Sequence, residues 1–553
     1  MQPTENQNAP VLKNGGGNFL TRIIRYLRNS LSFFFRGDLG GHWVIFFLIL
    51  SVTLYPMLTK WGIWFGNPLR MGAAAYALAY ACTLVGTPIR NKYARNILYT
   101  AIFIFVLSHC IMQIFCINAT GGCYSIDLLS AALATNASEA SEFINIYCTT
   151  RPIIILCMLP LFLMAVVWIG KHLRCFARPK ILRAGAILFL AIVGIGSPYK
   201  VAFYSHTAVT LAVDLPTVFN TLGTELHPTH PAIKVTSADQ PPVVVWIIGE
   251  SLTNHHCSLY GYEKPTNPLL QKKVENGSAF VFTDVQAAKT YTQQAFQLMM
   301  STYTKSDGDK VKWYNCPTLP DIAKAAGYHT RWISNQSKKG IFDNIVSQYA
   351  DLCDTCVFIG NKFAGTTRTS IDGELLPVVK TMLAHPSGKD FYIVHLMGCH
   401  VAFDQRYPST FAKFKESEYS DRPEHQRYKL ATYDNAVLYN DYIVSTIMDM
   451  IGDREAVVIY APDHGVDIFE SDPNITGHAN ADNPISSKAG HDIPFIIYTT
   501  DAYRQRHPDT VQRIKKSVSR KFDLEDAPYL MMDHMQCDFT SKPAVKQKSL
   551  IRE

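Results

Sequence analysis

Three short segments in the second half of this 553-residue chain set acids and imidazoles beside glycine: Gly249-Glu250-Ser251, His395-Leu-Met-Gly-Cys-His400 and Asp463-His464-Gly465. Carboxylate and imidazole are zinc ligands, and a zinc site that works as a catalyst usually offers about three protein ligands and leaves one position open. Glu250, Asp463 and His464 supply such a set. An Asp-His-Gly by itself is equally a turn in which the aspartate caps the next helix. The metal reading gains on the turn because acids and histidines recur in the same setting elsewhere in the chain.

That setting is the end of an apolar run rich in β-branched residues. Residues 243–248 lead into Glu250, 391–394 into His395, and 456–460 into Asp463; 494–498 is a further run and 330–333 a weaker one. Each has the length of a strand buried on both faces of a sheet. Helical patterns over 318–327, 374–384 and 432–451 lie between them. Strands alternating with helices predict an α/β domain with a mostly parallel sheet, whose site lies outside the carboxyl ends of the strands. All the candidate ligands sit there.

The first half reads differently. A mean hydropathy of +0.03 with 18% charged residues is too apolar for a chain made only of soluble domains. Five apolar runs, at 43–58, 71–87, 97–117, 152–170 and 184–203, each approach the ~20 residues that cross a bilayer. Residues 22–36 alternate arginines with Leu, Ile and Phe as an interfacial helix would, and no small-residue cleavage site follows a short apolar core, so a cleaved signal peptide is not expected. Arg90, Lys92 and Arg95 follow the second run, and Lys171, Arg174, Arg178, Lys180 and Arg183 follow the fourth, which puts those loops in the cytoplasm. The 118–150 connection holds Asp127, Glu139 and Glu142 but no Lys or Arg, and faces outward. The expected organisation is an α-helical membrane domain with five transmembrane helices over 1–205, a linker at the membrane surface over 206–240, and an extracytoplasmic catalytic domain over 241–553. The formal charge of +7 is spread through the loops between apolar runs, which argues against a nucleic-acid partner. Thirteen cysteines over this length do not make a disulfide scaffold.

The ordered motifs resemble the phosphoethanolamine transferases of the alkaline-phosphatase and sulfatase superfamily, the group that includes lipid A phosphoethanolamine transferases and the mobile colistin-resistance enzymes. Gly249-Glu250-Ser251 followed by Tyr260-Gly-Tyr-Glu-Lys-Pro-Thr-Asn-Pro268 looks like the first-strand motif. The His395–His400 segment, with Arg406-Tyr407-Pro408 after it, looks like the histidine motif, and Asp463-His464-Gly465 completes the set. Five spans with an outward loop after the third match that architecture. The resemblance implies a sulfatase-like, alkaline phosphatase-like exported domain anchored in the bacterial inner membrane. It implies transfer of phosphoethanolamine from phosphatidylethanolamine to an envelope acceptor, lipid A or another envelope glycan, through a phosphothreonine-type intermediate. It also implies zinc, one ion held tightly with a second as an option. The alternatives are a glycerophosphate transferase of the lipoteichoic-acid synthase type and an inactive membrane-anchored scaffold. A sulfatase proper would need a C/S-x-P-x-R segment, which the chain lacks.

By the same resemblance the nucleophile belongs to residues 287–301. Aligned from Ser301 it falls on Thr290, which then also touches the metal, with Thr292 as the competitor. His400 and His478 are implied as phosphate or second-zinc residues and Lys339 as a phosphate contact, with His395 and His491 as supporting residues. Thr135 and Glu139 match positions for the lipid headgroup, though Ala131 replaces an asparagine there. Three departures stand out. Two cysteines that pair around the nucleophile in the family are Ala288 and Leu298 here, the acid after Asp-His-Gly is Val466 with Asp467 next, and Cys353-Asp-Thr-Cys356 is a tighter spacing than the family's disulfide loop. Cys123 and Cys148 bracket the outward loop and are a further candidate pair.

Overall fold

The structure, a computed structural model, describes residues 225–338, 345–360, 370–474, 476–479, 484–540 and 549–551, with isolated positions before 225. The five expected spans, the 118–150 loop with Thr135 and Glu139, and Lys339 lie outside the described residues, save for those isolated positions. Among the described residues no helix is long and apolar enough to cross a membrane.

Seven strands form one sheet. In chain order they are β1 (Val243–Gly249), β2 (Ala279–Phe282), β3 (His329–Ser334), β4 (Thr355–Phe358), β5 (Asp390–His395), β6 (Ala456–Pro462) and β7 (Phe495–Thr499). Their order across the sheet is β2-β7-β6-β1-β5-β3-β4. The pairs β1 with β5, β1 with β6, β3 with β5 and β3 with β4 are parallel. β7 runs antiparallel to both β6 and β2. All five strand expectations are met, and the two that the sequence did not single out, β2 and β4, are the edges.

The sheet is buried on both faces by alternation along each strand. Val244, Trp246 and Ile248 of β1 enter one apolar cluster with Phe391 and Ile393 of β5. Val243, Val245 and Ile247 enter the opposite one with Tyr392 and Val394. The first cluster is covered by helices that include α2 (Thr292–Met299), α3 (Leu319–Ala325), α4 (Ile345–Asp351) and α8 (Ala527–His534). The second is covered by α1 (Pro268–Glu275), α5 (Leu376–Ala384) and the 28-residue α6 (Glu424–Ile451). α6 is mostly buried, and its polar residues are spent on fixing loops. Asp441 accepts from the Leu269 and Leu270 amides, each at 2.9 Å, capping the start of α1. Asp434 accepts from His256 at 2.6 Å, from Tyr262 at 2.7 Å and from the Tyr419 hydroxyl.

The seven cysteines among the described residues, Cys353 and Cys356 included, are free thiols. The CxxC spacing therefore does not form a bridge in this structure.

Candidate metal centre and nucleophile

The carboxyl ends of β1 and β6 are neighbours in the sheet, and this adjacency brings Glu250 to Asp463 and His464. The loops lock together through the Asp463 amide to the Gly249 carbonyl, 3.1 Å, and the Leu252 amide to the His464 carbonyl, 3.0 Å. Glu250, Asp463 and His464 are the one group of three acids, histidines or cysteines among the described residues whose ligand atoms all lie within 4.8 Å of one another, and all three are buried.

Ser251, immediately after Glu250, has φ 53°, a left-handed conformation uncommon for a residue with a side chain. Tyr433 of α6 holds it, donating to the Ser251 carbonyl at 3.2 Å while accepting from the Thr253 amide at 3.1 Å. From the other side the loop after β5 comes in close. Gly398 has φ +52°, and a Cβ there would lie 2.7 Å from the Glu250 backbone, so only glycine fits. The buried Asp372 pins this loop by accepting from the Met397 and Gly398 amides at 2.8 and 2.9 Å.

The donor set suits a divalent cation. Glu250 accepts from Ser251 at 2.8 Å and from Gln336 at 3.3 Å, and lies 3.2 Å from His464 Nε2. His464 donates its Nδ1 proton to the Gly465 carbonyl at 2.7 Å, which leaves Nε2 free to ligate; metal-bound histidines are usually fixed in this way. Asp463 Oδ2 is buried with no hydrogen-bond partner. Burial alone would raise the Glu250 carboxyl, but the bond to His464 and its charge hold it far below the usual range. Burial and the Glu250 charge push Asp463 up, and despite burial the Asp463 and Glu250 charges pull His464 up. Two buried carboxylates that oppose each other's ionisation, one of them with an oxygen lacking a hydrogen bond, are what a cation would satisfy.

The hydroxyl beside this group belongs to Thr292. Its Oγ1 lies 3.3 and 3.4 Å from the two Glu250 oxygens and 3.4 Å from His464 Nε2. Thr292 is half-buried and opens α2, where the first amides of the helix point outward. Thr290, on which the alignment from Ser301 falls, is 6% exposed; its methyl packs where a Cβ on Gly490 would be 2.8 Å away, and its carbonyl accepts from His478. Of the two candidate threonines, it is the hydroxyl of Thr292 and not that of Thr290 that the structure places beside the acids. Tyr291 between them is in extended backbone, φ −138° and ψ 137°, so the two threonines share a register but only the second reaches the acids.

Two of the expected histidines converge here. The His478 ring centroid lies 4.9 Å from that of His464, and burial, then the neighbouring His464 and His400, push its pKa down to about 3. A carbonyl can only accept, so His478 Nδ1 is the donor to Thr290 O at 3.1 Å, and Nε2 carries the lone pair. α6 supports this segment: His425 and Gln426 donate to the Pro473 carbonyl at 2.9 and 2.7 Å, and Lys429 to the Thr476 hydroxyl at 3.1 Å. His400 is half-buried and its Nδ1 has no partner.

The others play different parts. His395 is fully buried beneath α2, edge-on to Phe296 at 5.3 Å and bonded to Ser334 at 3.1 Å, and burial pushes its pKa down to about 4. The His491 ring turns back on its own helix, α7 (Pro484–His491), donating to the Ser487 carbonyl at 2.7 Å. Asp467 does not replace the acid that Val466 lacks. It caps its own turn, accepting from the Glu470 amide at 2.9 Å and the Ser471 hydroxyl. Lys338, next to Lys339, pairs with Asp351. Sequence reasoning missed Gln336, which follows β3 as Glu250 follows β1; its place at a strand end was the available signal.

A satellite ion pair stands nearby. His255 Nδ1 lies 2.8 Å from Glu470 and Nε2 3.1 Å from Asp492. Both nitrogens face carboxylates, so both carry protons, and bonds to Asp492 and then Glu470 pull the pKa up to about 9. The folded state binds this proton more tightly than the unfolded one, so the stabilisation is complete below about pH 6.5 and fades as pH rises through about 9. His255→Ala should lower Tm by a few degrees at pH 6, about 1 kcal/mol for a pair partly open to solvent. Thermal unfolding across pH 6–10 checks this; a deficit as large at pH 10 as at pH 6 would mean the lost interaction is packing, not charge.

Comparison with known proteins bears on this geometry. A family model described as Sulfatase matches residues 242–536, which span the whole sheet. The chain belongs to the sulfatase family. Its curated relatives include phosphoethanolamine transferase EptC from Escherichia coli O18:K1:H7, 28% identical over 306 residues, or 54% of this chain and 52% of that protein. The chain spans about half the length of the curated relatives it matches. Among solved structures, the C-terminal periplasmic domain of EptC from Escherichia coli in complex with zinc superposes with a TM-score of 0.53 at 27% identity, covering 59% of this chain and 90% of that one. The integral membrane lipooligosaccharide phosphoethanolamine transferase A from Neisseria meningitidis shares the fold over 97% of this chain and 98% of its own, with a TM-score of 0.68 at 19% identity.

Proposed function

We propose that this sulfatase-family chain is a zinc-dependent phosphoethanolamine transferase that uses Thr292 as its nucleophile. The observation that carries this reading is the Thr292 hydroxyl at the start of α2, 3.3 Å from Glu250 and 3.4 Å from His464, beside the buried three-residue ligand group. The transferases among the curated relatives and the zinc in the EptC domain support it. Glu250, Asp463, His464 and the Thr292 oxygen would hold the ion, which would lower the pKa of the hydroxyl and offset charge on the transferring phosphoryl group.

In the first step Thr292 Oγ1 bonds to the phosphorus of phosphatidylethanolamine and the bond to diacylglycerol breaks, the departing oxygen taking a proton. In the second an acceptor oxygen bonds to phosphorus and Thr292 leaves, regaining its proton. The start of α2, where the helix dipole favours negative charge, would receive the phosphoryl oxygens. His478 and His400 contact the phosphoryl group. Residues 1–205 serve as the inner-membrane anchor with the catalytic domain in the periplasm, a reading supported by the fold shared with an integral membrane protein. Thr135 and Glu139 take the donor headgroup, and Lys339 its phosphate. The acceptor is lipid A, named for a relative from Salmonella typhimurium that is a Kdo(2)-lipid A phosphoethanolamine transferase, 27% identical over 282 residues.

Incubating the purified full chain with zinc and phosphatidylethanolamine, then measuring intact-protein mass, tests the reading. One added phosphoethanolamine group with release of diacylglycerol is expected. Added phosphoglycerol from phosphatidylglycerol would instead make the protein a glycerophosphate transferase, and no adduct with any lipid would leave an inactive scaffold.

A further inference from the structure

The segment that carries Thr292 lacks a covalent staple, since Ala288 and Leu298 are packed in the core at 1% and 3% exposure. Its two ends are tied by the backbone. Ala287 donates to the His491 carbonyl at 2.8 Å, Gln286 bridges Asp492, and beyond α2 Ser301 bridges Thr318. Between these ties, the residue immediately before Thr292 is Tyr291, which is 8% exposed and whose ring stacks on His478 with centroids 4.5 Å apart and planes 15° apart. His478 in turn donates to the carbonyl of Thr290 at 3.1 Å. The ring of one residue and the carbonyl of its neighbour thus grip the same imidazole, one by its face and one by its edge.

We propose that Tyr291 is a positioning residue: stacked on His478, it fixes the plane of that imidazole and, through the same grip, the backbone that presents the Thr292 hydroxyl to Glu250. The stack sets the ring plane while the Nδ1 bond sets its rotation, which leaves Nε2 aimed away from the Thr290 carbonyl. An aliphatic side chain would keep an apolar contact and lose the face-to-face stack. Tyr291 is not one of the three residues of the ligand group, so loss of the stack misplaces the reacting group without removing a ligand.

The activity arm of the test rests on the transferase reading; a labelling arm does not. Tyr291→Phe, Tyr291→Trp and Tyr291→Leu are made in the full chain, and zinc per chain, kcat and KM for diacylglycerol release, and carbethoxylation of His478 by diethyl pyrocarbonate are measured, the last by peptide mass. Tyr291→Phe should stay within about threefold of wild type in kcat, whereas Tyr291→Leu should lose roughly 10- to 100-fold, as expected for a misplaced reacting group. Zinc content should be unchanged, and His478 should be labelled faster in Tyr291→Leu only. Wild-type labelling of Tyr291→Leu, or unaltered kcat despite faster labelling, would overturn the proposal. So would a loss in Tyr291→Phe equal to that in Tyr291→Leu, and this arm stands even if the leucine variant fails to fold. A wild type that turns over no phospholipid would sink the transferase reading instead, and the His478 labelling would still show whether Tyr291 holds the imidazole.

Discussion

Thr292→Ala should abolish the covalent adduct and reduce transfer by about 10³-fold or more, because one atom, Oγ1, is both the acceptor of the phosphoryl group and a neighbour of the ligand set. Thr292→Ser keeps the oxygen and should retain measurable turnover, reduced because the unbranched side chain gains rotamers that threonine lacks. Thr290→Val is the informative control. The Thr290 side chain packs against Gly490 and its contribution to His478 comes from the backbone carbonyl, so valine preserves shape and leaves the adduct intact. Intact-protein mass on the three variants is decisive. An adduct that survives in Thr292→Ala and vanishes in Thr290→Val would return the nucleophile to Thr290 and require α2 to rearrange before reaction.

The choice between the two threonines shows where a sequence stops being informative. Thr290 and Thr292 lie on either side of the extended Tyr291, and no composition or periodicity separates them. What separates them is the end of extended chain and the start of α2, and helix boundaries are the least legible part of a sequence. By contrast Glu250, Asp463 and His464 are legible from the sequence alone, because each follows a fully buried apolar strand and the ends of neighbouring parallel strands must be close. The sheet itself is legible for the same reason. Val243–Gly249 and Ala456–Pro462 are buried at every position and read as unbroken apolar runs, while the edge strand Thr355–Phe358 is half-buried throughout and gives no such run.

The polar support around the site is not legible. Tyr433, Asp434 and Asp441 sit within a long amphipathic pattern and look like ordinary helix residues, yet each reaches a loop more than 170 positions away. Side chains of this kind have no local signature, since the backbone they satisfy is distant in sequence. The departures at Val466, Ala288 and Leu298 are visible in the sequence, but their meaning is not. Val466 is buried in the core and Asp467 is used up by its own turn, so the missing acid has no substitute there, whereas the ends of the segment that lacks the cysteines are tied by backbone contacts, Ala287 to His491 and Ser301 to Thr318.

Removing a single ligand should cost as much as removing the nucleophile. Glu250→Ala, Asp463→Ala and His464→Ala each leave two of three side chains, and a catalytic zinc needs three, so zinc per chain and transfer should fall together. Gln336→Leu should behave differently. Gln336 donates to the ligand Glu250 at 3.3 Å and is not itself in the three-residue ligand group, so its loss should weaken zinc by about 10- to 100-fold while saturating zinc restores turnover. A readout besides activity follows from linkage, because an ion that binds only the folded chain stabilises it by about 2.7 kcal/mol at a hundredfold excess over Kd. Zinc should therefore raise the Tm of metal-stripped wild type by several degrees, raise that of Gln336→Leu only at higher concentration, and leave Asp463→Ala unmoved. Metal analysis and thermal unfolding on the same preparations measure both. Full zinc occupancy in an inactive Asp463→Ala variant would show that the ion sits elsewhere. The buried Asp463 Oδ2, which has no hydrogen-bond partner and only His464 Nε2 at 3.7 Å, would then need another explanation, because burying a carboxylate oxygen without a hydrogen bond is costly.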